Sequence, residues 1–225
     1  MKSAARIERE KYGPSLVEIT LGAALSLLLG VVLAAGYLVT KPVSTVRELP
    51  KEEDQVRDEV YFVEGSKDST KGRTWLRKRQ LLMEGQAADI PLTEDELNAG
   101  LNDAPKVAEA APGAAPGLIE PTAVNFRIRG GVFQVALPST VHFLGYRIPV
   151  IFQARGGFER DDGRFVFVPD EFYIGSLAAN RLPFLRGIVT SRLLAAKAVG
   201  PELVEAWGKV SAVTISGDTL QLKLP

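Results

Sequence analysis

The feature that most constrains this chain lies near its N-terminus, where Ile19 to Thr40 reads ITLGAALSLLLGVVLAAGYLVT, 22 residues without a charge. As a helix rising 1.5 Å per residue it spans about 33 Å, the thickness of a bilayer core. Lys2, Arg6, Arg9 and Lys11 precede it, whereas Lys41 and Arg47 follow it and are succeeded by Glu52, Glu53 and Asp54. This bias of positive charge predicts a cytoplasmic N-terminus and an extracytoplasmic C-terminal part. Pro14 and Ser15 open the helix, Tyr37 sits where aromatic rings anchor at an interface, and Pro42 stops it. A cleavable signal peptide is the rival, with Ala34-Ala35-Gly36 as its cleavage site. The apolar run is longer than an ordinary signal core and continues through Leu38 and Val39, so we read a retained signal anchor. Gly22, Ser26, Gly30 and Ala34 recur every four residues on one helix face, the small-residue spacing that lets two membrane helices pair into a homodimer.

With 225 residues in all, the remainder suffices for one domain. Lys+Arg and Asp+Glu are equal at 27 each, so no global field draws in nucleic acid. Cysteine is absent and His142 is the single histidine, which excludes disulfides, thiol nucleophiles, iron–sulfur clusters and the two-histidine zinc motifs within one subunit. The expected organisation is a cytoplasmic tail over 1–15, the anchor over 16–40 and a tether over 41–66. A helical segment over 67–103, an Ala/Pro/Gly-rich connector over 104–117 and a sheet with covering helices over 118–225 complete it.

In the helical segment, Lys67, Lys71, Arg73, Arg77, Lys78 and Arg79 face Asp68 as the one acid, with Trp75, Leu76, Leu82 and Met83 as apolar partners. A domain helix with a solvated basic face is the preferred reading, and a helix leaning on anionic headgroups the alternative. In PLTEDELNAGL, Thr93 and Glu96 have capping-box spacing, and Leu92 with Leu97 that of a hydrophobic staple. Glu94, Asp95 and Glu96 are read as helix N-terminal acids and not as a metal site, because consecutive helical residues diverge.

Beyond the connector the period changes to two. Val124, Phe126 and Ile128 alternate with Asn125, Arg127 and Arg129; Phe133, Val135 and Leu137 follow Gly130-Gly131; Tyr146 to Phe152 alternate likewise. Turns at Asp161-Asp162-Gly163 and Ser216-Gly217-Asp218 separate further strands, and short connections predict an antiparallel meander. Helices are expected over 181–199, with Leu182, Leu185, Ile188, Val189 and Leu193 as its apolar face, and over 202–209, with Leu203, Val204 and Trp207 turned to the core. The fold class is therefore α+β, a curved antiparallel sheet covered by helices behind one N-terminal membrane helix.

No nucleophile–base spacing or phosphate loop occurs, and His142 in PSTVHFLGY lacks a partner placed by spacing, so no catalytic residue, metal or cofactor is assigned. Eight of the ten phenylalanines lie between Phe126 and Phe172, which predicts either a filled core or an apolar groove under the 181–199 helix. Phe152, Phe165, Phe167 and Leu185 are the candidate groove contacts. The expected function is a non-enzymatic, membrane-anchored binding module of the bacterial cell envelope for a lipid or other apolar ligand. The alternative is an assembly protein acting through other envelope proteins and paired anchor helices.

The order of an N-terminal anchor, IPLTEDELNAGL, strands of the type VFQVALPSTVHFLGYRIPVIFQARGGF and then EFYIGSLAANRLPFLRGIV resembles the YpmS-like family of single-pass bacterial envelope proteins over about residues 90–225. The resemblance implies an extracytoplasmic domain on a membrane tether and brings no catalytic residues with it. A sheet around a long helix is also similar to lipid-binding tubular domains, by analogy of fold alone.

Overall fold

The computed structural model describes residues 13–57, 59–102, 119–143, 145–179 and 201–225. The expected helix over 181–199, the connector over 104–117 and most of the N-terminal tail lie outside these residues. The chain divides into two units, Met1–Val39 and Thr40–Pro225.

The first unit is the helix α1, Leu16–Thr40, none of whose residues is buried. Its start is fixed by a reciprocal cap: the Ser15 amide donates to the Glu18 carboxylate at 3.0 Å, and the Glu18 amide donates to Ser15 Oγ at 3.2 Å. Length and composition make it apolar enough to cross a membrane.

The second unit is α+β. In chain order it holds β1 (Ser44–Val46), β2 (Tyr61–Val63), α2 (Gly72–Glu84), β3 (Asp89–Thr93) and α3 (Glu94–Asn102). There follow β4 (Ile119–Pro121), β5 (Asn125–Arg129), β6 (Val132–Phe143), β7 (Tyr146–Asp161), β8 (Arg164–Ile174) and β9 (Leu177–Ala178). Helix α4 (Pro201–Trp207) and the hairpin β10 (Ala212–Ser216) and β11 (Thr219–Lys223) close the chain.

The long strands form a six-stranded antiparallel sheet ordered β4-β6-β7-β8-β9, with β5 also paired to β6. Gly130 and Gly131 both have positive φ, 57° and 80°, the tight turn that a two-residue hairpin needs. Between Arg155 and Gly156 the register of β7 against β8 shifts by a bulge. A Cβ on Gly156 would stand 2.1 Å from the Val168 carbonyl oxygen, so the close approach of the two backbones there requires glycine.

Three expectations are corrected. The C-terminal hairpin does not extend the meander; it pairs with β3 in a separate three-stranded sheet, Leu220 opposite Leu92 and Leu222 opposite Ile90. Segment 67–103, expected to be helical, therefore contains a strand whose alternate residues Ile90 and Leu92 are buried. Residues 41–66, expected as a tether, carry β1 and β2 in parallel pairing and bury Phe62 and Val63. Three residues are too few to show a period of two, and Phe62 and Val63 are buried in succession, so β2 gives no alternation to read between Glu59 and Glu64.

Helices α2, α3 and α4 and the small sheet surround one end of the large sheet. The core there joins Trp75, Leu82, Ile90, Leu92, Leu97, Ile128, Phe133, Ala206, Leu220 and Leu222. Leu76 and Val204, expected to turn inward, are exposed. Each falls outside the narrow stripe its helix buries, which in α2 contains Trp75 and Leu82.

Candidate functional site

The aromatic face of the large sheet is packed at the helix-covered end. The Phe133 ring meets Phe158 at 5.2 Å and Phe167 at 5.7 Å, both edge-on, and Phe158 meets Phe167 at 5.6 Å. Trp207 of α4 adds a tilted contact to Phe158 at 5.8 Å, and its indole N–H donates to the Phe165 carbonyl at 2.7 Å. Such tilted and edge-on geometry at these separations is that of rings packed against one another. Of the candidate groove residues, Phe165 and Phe167 thus pack on this core, while Phe152 packs in a second cluster around Ala154, Phe172 and Ala179. Phe167 touches both clusters, and Leu185 lies outside the described residues.

The polar residues of the ELN segment serve the sheet edge. Among the described residues strand β5 pairs only with β6, so its other edge needs partners. Asn98, fully buried, donates through Nδ2 to the carbonyls of Phe126 at 2.7 Å and Ser66 at 2.8 Å, and accepts from the Phe126 amide at 2.7 Å. Glu94 continues the edge by accepting from the Ile128 amide at 3.0 Å, and it also receives the Ser66 amide and hydroxyl. Glu96 accepts from the Thr93 amide at 3.0 Å and forms an ion pair with Lys78 at 2.7 Å, while its own amide reaches Thr93 Oγ1 at 3.4 Å. The capping box is therefore as expected. Glu94 and Glu96 face different partners, and no group of three or more acids and histidines converges among the described residues.

The opposite face of the sheet carries a polar line. Gln134 donates to the Val63 carbonyl at 3.0 Å and accepts from Arg155 Nε at 3.0 Å, and Arg155 lies 3.6 Å from Glu171. Beside it Gln153, 1% exposed, has neither its amide nitrogen nor its amide oxygen hydrogen-bonded among the described residues. Burial lowers the pKa of the nearby Arg127 guanidinium from its ordinary value, an effect Glu94 partly opposes.

At the β9 end of the large sheet, the carbonyl of Lys41 lies 3.4 Å from Ser176 Oγ, and the neighbouring Gly175 amide donates to the Ile151 carbonyl at 2.9 Å. Past this level β6 and β7 run on as an arm whose last register pair is Phe143 with Tyr146. His142 Nε2 stands 2.9 Å from Glu120, and Arg147 approaches the same carboxylate at 3.8 Å. The histidine so faces an acid that an arginine also approaches.

The pairing of Asn98 with Phe126 spans 28 residues and leaves no periodic trace. The one signal that could have found it is an asparagine at an otherwise apolar helix position. No family model, curated protein or solved structure matches this chain.

Proposed function

We propose that the chain is a single-pass membrane protein with a cytoplasmic N-terminus, whose body is a non-enzymatic, extracytoplasmic module of the cell envelope that works by contact with apolar partners. One observation carries this reading. A helix of 25 residues with none buried passes into a folded body with only residues 41–43 between Thr40 and the first strand. A bilayer offsets the cost of so much exposed apolar surface. The polar side chains Asn98, Glu94, Glu96, Gln134 and Arg155 are engaged in holding chain segments together.

Within this reading, an acyl chain or other apolar ligand fits the Phe152 end better than the Phe165–Phe167 end, because the latter is packed with rings. Extraction of membranes with alkaline carbonate tests the anchor. The full chain stays in the pellet, and Leu28→Lys, which puts a charge near mid-membrane at a cost of about 2.5–3.5 kcal/mol, releases part of it. Native mass spectrometry of the full chain in mild detergent tests the ligand. A lipid-sized adduct that Phe152→Asn diminishes supports the binding module, and its absence together with a dimer that needs Gly30 supports the assembly protein.

A further inference from the structure

Two neighbouring helices each hold one apolar side chain out in solvent. Leu76 of α2 is 59% exposed and Val204 of α4 is 52% exposed, while the helices bury other residues, Trp75 and Leu82 in α2 and Ala206 in α4. The helices pack against each other, and Arg79 of α2 lies 3.7 Å from Glu202 of α4. Leu76, Arg79, Gln80, Met83 and Glu84 line an open recess of about 490 Å³ on the flank of α2. With about 3.6 residues per turn, Leu76 borders that flank and Arg73 and Arg77 run along the outer face beside it.

The charges next to these two side chains are opposite in sign. Arg73 and Arg77 are exposed and have no ion-pair partner among the described residues, whereas Lys78 and Arg79 are already engaged by Glu96 and Glu202. On α4, Glu205 follows Val204, is exposed, and likewise has no ion-pair partner among the described residues. The strip around Leu76 is thus basic and the strip around Val204 acidic, in a chain whose charges balance at 27 of each sign. A patch that carries both halves of a complementary pair can close on a copy of itself about a two-fold axis, each half meeting the other half of the second copy.

We infer that the α2–α4 face is where two copies of the chain meet. Val204 of one copy seats in the α2 recess of the other, against Leu76 and Met83, and Glu205 reaches Arg73 and Arg77 across the interface. The two-fold axis repeats both contacts. The occupant is a second copy and not an anionic lipid surface, because Glu202 and Glu205 would meet headgroups of their own sign, whereas the arginines of a copy match Glu205. So small a patch makes a weak, reversible dimer, whose charges set its geometry and partner more than its strength. The contact lies within Thr40–Pro225 and does not depend on whether α1 enters a bilayer.

Sedimentation equilibrium of the full chain in detergent micelles tests this, with Gly30→Leu in every sample so that pairing through α1 does not contribute. This parent chain is expected in a concentration-dependent equilibrium of monomer and dimer. Glu205→Arg alone, and Arg73→Glu together with Arg77→Glu, should each weaken the dimer about tenfold or more, because every pair across the interface becomes one of like charge. An equimolar mixture of these two variants should recover to within about threefold of the parent, since each reversed charge then faces its opposite. Val204→Asp, which puts a carboxylate into the recess, should weaken the dimer about as much as Glu205→Arg does. All the substituted positions of the body are exposed, so thermal unfolding of the variants should match that of the parent and separates lost association from lost folding. A parent that stays monomeric, variants that associate as the parent does, or a mixture that fails to recover would each overturn the interface.

Discussion

Asn98 and Phe126 form a side-chain substitute for a missing strand: the asparagine amide both donates to the Phe126 carbonyl and accepts from the Phe126 amide, each at 2.7 Å. An unpaired edge would otherwise offer its backbone to another chain, and a fully buried amide closes it without adding a strand. The same side chain holds the Ser66 carbonyl and so joins the segment following β2 to β5.

Asn98→Ala should therefore be costly, since it removes the side-chain partner of the partly buried Phe126 amide and carbonyl and of the Ser66 carbonyl. At about 1–3 kcal/mol for each unsatisfied group, a loss of about 3 kcal/mol is expected in urea unfolding of the full chain in detergent, followed by tryptophan fluorescence. A loss below about 1 kcal/mol would show that water replaces the side chain readily and that the edge is not closed by Asn98.

Gly65 lies in the same junction, where its amide donates to Asn125 Oδ1 at 2.9 Å. A Cβ there would sit 1.8 Å from the Phe126 carbonyl oxygen, whereas at Gly157 it would meet nothing within 4 Å. Gly65→Ala should destabilise by about 2 kcal/mol or more through displaced backbone, and Gly157→Ala should change stability by less than about 0.5 kcal/mol. Equal effects in the same unfolding assay would contradict the close packing.

The two buried glutamines of the polar face should respond oppositely. Gln134→Met strands the Val63 carbonyl and removes the Arg155 contact, a loss of about 1–3 kcal/mol. Gln153 has no hydrogen-bond partner among the described residues for either amide atom, so Gln153→Met should be neutral or stabilising in thermal unfolding. Destabilisation by Gln153→Met as large as that by Gln134→Met would reveal a partner for the amide.

How far the sequence discloses this architecture depends on the range of each interaction. The Thr93–Glu96 cap, the Gly130-Gly131 turn and the alternation along β6 and β7 are local, and each is readable from spacing. The pairing of β3 with β11 is not, because the residues of DIPLT also make a sound lead into a helix, and only a partner more than a hundred residues away makes them a strand. For the candidate contacts, the concentration of phenylalanine shows an aromatic face. The split of Phe152 from Phe165, with Phe167 touching both clusters, depends on where the helices and the small sheet pack. The exposed tip at Phe143 and Tyr146 reads in sequence like any other part of the alternating strand.

Acid should loosen β1 from β2. Glu59 accepts from Ser44 Oγ and from the Tyr61 hydroxyl, and these hydrogen bonds hold its pKa below the ordinary carboxylate value. A depressed folded-state pKa gives stabilisation that is present above the unfolded value, near 4.3, and is lost as pH falls through the lower folded value. Hydrogen exchange of the 44–46 and 61–63 amides should accelerate, relative to β6, when pH falls from 5 to about 3. Glu59→Gln should remove most of that dependence, and an unchanged profile in the variant would assign it to another group.

The most direct test of the anchored, outward-facing body is the side from which single cysteines react. In spheroplasts treated with a membrane-impermeant maleimide, the full-length chain carrying Asp161→Cys should be labelled without lysis. The chain carrying Ser3→Cys should be labelled only after permeabilisation. Labelling of Ser3→Cys in intact spheroplasts, with Asp161→Cys protected until lysis, would place the body in the cytoplasm and contradict the account.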